Sequence, residues 1–264
     1  MLKLGGELLE QADDLRRVAR GIVSLAKRTP LVVVHGGGKE IDAALATAGI
    51  AKHQIDGLRV TDAATLNVVV SVLAGTINTR LVAAIRAAGG SPVGLTGADA
   101  TLSATRRMPP IVTTSGTTVD LGLVGAPVGH APPRLLRDLL AGGYMPVLAC
   151  IGVARDGQLL NVNADTLASH VAAQIGAARL VIAGGTSGVL DAGGATIGQL
   201  TSRTASGLIR EGTANKGMVA KLQACRFAVK RGVGDVLIAN GRTVAFGALA
   251  DLAATQSNCT QVVG

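Results

Sequence analysis

The chain has 264 residues, enough for one large α/β domain or two lobes packed as one unit. Hydrophobic residues make up 48% of it and charged residues 16%, which excludes a disordered chain, and no apolar run approaches the roughly 18 to 20 residues of a bilayer span. The formal charge of +8 is dispersed and aromatics are only 1%, so small anions are favoured over nucleic acid, which needs clustered basic residues and stacking platforms.

The N-terminal MLKL predicts a short strand, without the basic and apolar succession of a secretory signal. A helix near Ala12 to Lys27, the strand LVVVH and a helix after Gly38 complete a βαβα opening. A strand at Ser91 to Thr96 leads into a polar, turn-rich section from Ala98 to Gly129, where IVTT and VDLGLV read as hairpin strands. A helix near Pro133 to Ala141 and the strand MPVLAC restore the alternation. IGVARDGQLLNV predicts a hairpin turning at Asp156-Gly157, followed by a helix from near Asn163. From about Ala177 come RLVIAG, a hairpin in TSGVLDAGGATIG, a helix over Lys216 to Arg231 and the strand DVLIAN. Such alternation predicts an α/β fold, a three-layer αβα sandwich with a mainly parallel central sheet. No long linker separates the halves, so residues 1–176 and 177–264 read as two lobes of one unit. Cys150, Cys225 and Cys259 are odd in number and lack metal or redox spacing, which fits a reducing compartment and a cytoplasmic protein.

Two strands end in glycine corners. VVVHGGGK runs from a β-branched strand through Gly36, Gly37 and Gly38 into a helix, and LKL ends in Gly5-Gly6. Backbone N–H groups without Cβ obstruction, at a helix start with its partial positive charge, suit a phosphate; the same corners also serve tight packing. Neither the GxGxxG dinucleotide fingerprint nor the P-loop spacing is present. If the two strands are parallel neighbours, both corners face the carboxyl edge of the sheet, where ligands of open α/β sheets collect. Lys3, two residues before its corner, is then a candidate charge clamp.

KLGG, VHGGGKEID, GLRVTD at Gly57 to Asp62, VDLGLVG at Val119 to Gly125, NVNAD at Asn161 to Asp165 and GMVAKL at Gly217 to Leu222 occur in order over nearly the whole chain. Together they resemble the N-acetyl-L-glutamate kinases of the amino acid kinase superfamily. The resemblance implies that fold, with acyl-amino-acid binding and dimerisation in residues 1–176 and nucleotide binding in 177–264. It also implies transfer of a phosphoryl group from ATP, with Mg2+ carried by the nucleotide, to the side-chain carboxylate of N-acetyl-L-glutamate in arginine synthesis. A carboxylic acid with a pKa of about 4.3 is already ionised at neutral pH, so this reaction needs no general base, only positioning and charge cancellation.

By resemblance, Lys3 and Lys221 flank the transferring group, Asp165 orients both lysines and keeps them protonated, and the N–H groups of Gly6, Gly37 and Gly38 add hydrogen bonds. Asp165 also suits a helix start. The acceptor is assigned to Gly36, Gly37, Arg59, Asn161 and Asn163, with Arg59 suited to the α-carboxylate because a guanidinium matches it with two parallel hydrogen bonds. Asn161 and Asn163, two apart on an extended segment, share a face opposite Leu160 and Val162. The nucleotide is assigned to Lys3, Gly5, Gly6, Gly184, Gly185, Gly188, Lys216, Gly217, Met218 and Lys221. His35, His53, His130 and His170 carry no assignment, and no metal ligand is expected of the protein itself.

Three features depart from the family pattern. The first strand starts only two residues before Lys3, Gly185 stands where the family usually has an aspartate, and Cys259-Thr260 replaces a common glycine-threonine pair. Arginine-inhibited members carry an additional N-terminal helix, so a homodimer insensitive to arginine is expected. Two alternatives remain open: a kinase for carrier-protein-linked aminoadipate or glutamate, and a catalytically weak homologue acting as a binding or regulatory module.

Overall fold

The structure is a computed structural model that describes residues 1–102, 104–113, 116–129, 133–214, 216–251 and 258–264, with only the backbone described for Thr101 and Lys216. His130, Thr114 of the IVTT segment and the side chain of Lys216 therefore lie outside the described residues.

Strand β1 (Leu2–Leu4) is followed by a short helical turn (Gly6–Leu8), α1 (Ala12–Ala26), β2 (Val33–His35) and α2 (Gly38–Thr47). Helix α1 forms because Leu15, Val18, Ala19 and Ile22 recur at helical spacing and are all buried on one face. A hairpin, β3 (Gln54–Ile55) with β4 (Leu58–Arg59), precedes a long helix made of α3 (Ala63–Val70), a π-helical stretch (Ser71–Ile77) and α4 (Asn78–Ala87). Then come β5 (Pro92–Thr96), β6 (Thr105–Arg107), β7 (Ile111–Val112), β8 (Thr118–Val119), β9 (Val124–Pro127), α5 (Arg134–Ala141), β10 (Met145–Ala149), β11 (Ile151–Val153), β12 (Leu159–Val162) and α6 (Ala164–Gln174). The chain ends with β13 (Arg179–Gly184), β14 (Gln199–Thr201), α7 (Ser202–Arg210), α8 (Lys216–Lys230), β15 (Asp235–Asn240) and β16 (Cys259–Val263).

Eight strands form one sheet in the order β14-β16-β15-β13-β1-β2-β10-β5. Every neighbouring pair is parallel except β15 with β16. β1 lies at the centre between β2 and β13, all three of its residues buried, so both halves of the chain meet on it. That position explains how three residues suffice for a strand: both edges are hydrogen-bonded and both faces are covered.

Three expectations need correction. VDLGLV is not one hairpin strand: β8 pairs with β7, while β9 joins a separate sheet, β11-β12-β9-β6. Between them Gly122 bridges to Thr61, a contact between segments that local alternation cannot reveal. The C-terminal half contains α7, β14 and β16 beyond the elements read from pattern. Finally, residues Ala63–Ala87 form a continuous helix long and apolar enough to cross a membrane, with a mean hydropathy of 1.8 over its most apolar window. Its scattered polar residues hide this length from a search for unbroken apolar runs. Leu66, Val69, Val72, Leu73, Ile77, Leu81 and Ile85 bury one face of it in the core, the behaviour of a helix lining an α/β sheet.

Candidate active site

The strands β1, β2 and β13 run parallel in register, Leu4 opposite His35 and Ala183, so the residues that follow them emerge at one edge. Gly5-Gly6, Gly36-Gly37-Gly38 and Gly184-Gly185 thus converge, the two corners read from sequence plus a third. They touch: a Cβ on Gly6 would stand 2.8 Å from the Cα of Gly37, and one on Gly37 would stand 2.1 Å from Cδ1 of Ile77. The π-helical stretch pushes Leu73 and Ile77 against that glycine, a local widening often found beside functional sites. Gly38 differs, since open space surrounds the position of its absent Cβ.

The donors of the corners are divided between structure and rim. Gly5 N–H donates to Ala183 O (2.8 Å) and Gly36 N–H to Leu4 O (3.0 Å), so these two tie the corners to the sheet and contribute shape rather than free donors. The expectation that Gly5 and Gly36 bind ligand is corrected to that extent.

Lys3 is buried at the centre of the sheet, its Nζ 2.8 Å from Oδ1 of Asp165. Asp165 sits in the first turn of α6, and Lys221 approaches its Oδ2 at 4.0 Å from α8. One buried carboxylate thereby lies against two ammonium groups from opposite halves of the chain. The lysines are not equally favoured. Burial alone would lower the pKa of Lys3, but the charge and hydrogen bond of Asp165 prevail and raise it. Lys221, farther from the carboxylate, is lowered by burial and by the charge of Lys3, with the charge of Asp165 acting in the opposite direction.

Arg59 lies at the other end of the glycine edge, its side chain only 7% exposed. Its Nη2 donates to Asp42 Oδ1 (2.5 Å) and to Gly38 O (3.4 Å), while Nη1 is buried without a hydrogen-bond partner. Among the described residues that guanidinium nitrogen has no acceptor, and its fork geometry suits a carboxylate. Asn161 Nδ2 donates to Thr61 Oγ1 (3.1 Å), and Thr61 Oγ1 donates to Arg59 O (2.9 Å), so the GLRVTD and NVNAD motifs interlock. Leu160 and Val162 are buried while Asn161 and Asn163 are half-buried, as alternation predicts. Asn163, however, spends its side-chain oxygen capping α6, accepting from the N–H groups of Asp165 (2.9 Å) and Thr166 (3.1 Å). That cap fixes the start of α6 and with it Asp165.

Behind the corner, Asn78 Nδ2 donates to Val147 O (2.9 Å) and pairs with His35 Nε2 (3.0 Å). That assigns the proton to Nδ1 of His35, which faces Gly36 O at 3.2 Å. Burial pushes the imidazole down to about 4, aided by the charge of Arg80 against the bond to Gly36, so it is neutral. Asp42, Thr61 and Asn78 escaped the sequence reading; only Asp42 and Thr61 lie inside quoted motifs, which is the signal that reaches them. Among the expected nucleotide contacts, Met218 is buried in the core and Gly188 packs against Thr260, whose hydroxyl anchors Val189 N–H (2.7 Å) and Ile197 O (2.7 Å). Gly217 opens α8 at the surface, its carbonyl accepting from Lys221 Nζ at 3.5 Å. Cys150 and Cys225 lie buried under the lysines; burial pushes the Cys150 thiol up to about 12 and raises Cys225 as well, which keeps both inert. Among the described residues no cluster of three or more His, Cys, Asp or Glu could hold a metal ion.

The sequence profile of the amino acid kinase family matches residues 1–240. The chain belongs to the amino acid kinase family. Within it, the acetylglutamate kinase of Afipia carboxidovorans is 40% identical over 249 residues, spanning 92% of this chain and 84% of that one. The acetylglutamate kinase of Nitrobacter hamburgensis is 41% identical over the same length. Among solved structures, smu.665 from Streptococcus mutans superposes with a TM-score of 0.79 at 27% identity, covering 99% of this chain and 97% of the other. The N-acetylglutamate synthase from Neisseria gonorrhoeae, complexed with coenzyme A and N-acetylglutamate, gives 0.82 at 26% identity, all of this family member matching 58% of the synthase chain.

Proposed function

We propose that this chain is an acetylglutamate kinase, which transfers a phosphoryl group from ATP to the side-chain carboxylate of N-acetyl-L-glutamate. The observation that carries the reading is the single buried carboxylate of Asp165 joining Lys3 and Lys221 beside three convergent glycine corners. Two ammonium groups against one carboxylate leave a positive centre, placed where two mutually repelling anions must be brought in line. Lys3 and Lys221 cancel charge on the transferring oxygens, and the N–H groups of Gly6, Gly37 and Gly38 point donors at them. Arg59, with its free Nη1, takes the acceptor's α-carboxylate, and Asn161 takes the acetylated nitrogen end. The acceptor arrives ionised, which is why no side chain is required as a base.

In this reading residues 1–176 hold the acyl amino acid and 177–264 the nucleotide, with Gly184, Gly185 and the start of α8 along its phosphates. Magnesium, travelling with the nucleotide, supplies further neutralisation of the phosphate oxygens. A homodimer is supported by the apolar helix from Ala63 to Ala87, whose most apolar window the monomer buries by only 39%. Free thiols at all three cysteines support a reducing, cytoplasmic setting.

Hydroxylamine trapping of the acyl phosphate tests the function, with N-acetylglutamate, aspartate and carrier-linked aminoadipate or glutamate as acceptors. Hydroxamate from N-acetylglutamate alone is expected. Product only from a carrier-linked acceptor, or none from any, replaces the reading with one of the two alternatives.

A further inference from the structure

Glu7 is a side chain that the kinase chemistry does not call for, yet its carboxylate lies inside the glycine cradle. Its Oε1 accepts from Gly185 N–H at 2.9 Å. The carboxyl group rests on Gly5 so closely that a Cβ there would stand 2.3 Å from Oε2, and a Cβ on Gly184 would stand 3.1 Å from Oε1. The negative charge also acts on both Lys3 and Lys221. Arg242 fixes the turn that carries it, donating from Nη2 to the backbone oxygen of Glu7 at 3.1 Å. A carboxylate that takes a backbone donor, fills the space between two side-chain-free corners and balances the odd ammonium charge has the same contacts as a phosphate oxygen.

We propose that Glu7 is an internal competitor for the phosphate cradle, a residue that sets how strongly an anion must bind before it can occupy the site. When the cradle holds no ligand, the Glu7 carboxylate neutralises it. An entering phosphate must displace that carboxylate, take over the Gly185 N–H and leave Glu7 to water. Glu7 is half-buried, so the swing needs no unfolding of the sheet. Displacement costs the same whatever the entering phosphate is attached to. Weakly held anions, such as free phosphate and pyrophosphate, are thereby kept out, while a nucleotide offsets the cost through contacts elsewhere.

The inference rests on the reading of these corners as the nucleotide's phosphate site, and titration calorimetry of the full chain separates the two. ADP, pyrophosphate and N-acetylglutamate are each titrated, at one fixed magnesium concentration, into wild type, Glu7→Gln and Glu7→Ala. A hydrogen bond to a charged group, partly exposed, sets the expected gain at about tenfold for Glu7→Ala, with a smaller gain for Glu7→Gln. The gain should be equal for ADP and pyrophosphate and absent for N-acetylglutamate. Unchanged or weaker ADP binding in both variants overturns the proposal, weaker binding showing that Glu7 helps to hold the loaded nucleotide. A gain for N-acetylglutamate as large as that for ADP also overturns it. If wild type and both variants fail to bind ADP at all, the nucleotide site itself is wrong and the proposal goes with it.

Discussion

Replacing Asp165 by asparagine takes one negative charge from between two buried ammonium groups while keeping the shape of the side chain. Lys3 Nζ stands 2.8 Å and Lys221 Nζ 4.0 Å from its oxygens, with Lys3 and Asp165 only 6% and 7% exposed. With an effective dielectric constant of about 20 the two attractions are about 6 and about 4 kcal/mol. Much of this is offset by the cost of burying the carboxylate, and removing one partner of a buried pair leaves a net loss of about 3 to 5 kcal/mol. The pH dependence supplies the sharper test. In the wild type the Lys3 pKa is raised above its ordinary 10.5, so this group's stabilisation is complete below that value and fades as pH rises through the folded-state value. In Asp165→Asn, burial acts without its counterweight, the folded-state pKa drops below the ordinary value, and the sign reverses. The variant's deficit should be largest near pH 7 and shrink by about 1 kcal/mol or more toward pH 9.5. Urea unfolding at both pH values, beside turnover measurements, reads both quantities. A deficit under about 1 kcal/mol, or one indifferent to pH, refutes the idea that this carboxylate holds a buried lysine charged.

Lys221→Ala should lower turnover by about a hundredfold or more, because it removes a preorganised cation from the transferring group; turnover within a few-fold of wild type would take it out of the site. Arg59→Ala should raise the Michaelis constant for N-acetylglutamate far more than that for ATP, with the fold intact because Asp42 keeps its bond to Lys52 at 2.5 Å. Equal effects on both substrates would contradict the assignment. His35, with its folded-state pKa near 4 against an ordinary 6.5, binds fewer protons than the unfolded chain in between. Stability is therefore fully present above about pH 6.5 and falls by up to about 3 kcal/mol as pH approaches 4. Nitrogen NMR should find the neutral Nδ1–H tautomer at about pH 5.5, and an imidazolium signal there would contradict the Asn78 pairing.

Local pattern was enough to read the sheet and its ligand edge. β-Branched runs ending in glycine, and helices such as α1 with apolar residues three and four apart, carry their own conformational preference, so the alternation and the corners at Gly5-Gly6 and Gly36-Gly38 were legible residue by residue. The assignments of Lys3, Asp165 and Lys221 rested on motif resemblance, since positions 3, 165 and 221 have no local reason to meet. What the sequence determined, then, was the alternation of strands and helices in the first half, the glycine corners that end β1 and β2, and the residue types that stand there; α7, β14, β16 and the length of the Ala63–Ala87 helix were not legible in it. Only the tertiary structure decided that β1 lies between β2 and β13, that the side-chain oxygen of Asn163 caps α6, that Gly5 and Gly36 give their donors to the sheet, and that Glu7 reaches across to Gly185. Each of these is a contact between distant positions in the chain, fixed by competition for a limited set of buried donors and acceptors, and that competition is settled only once every element is in place.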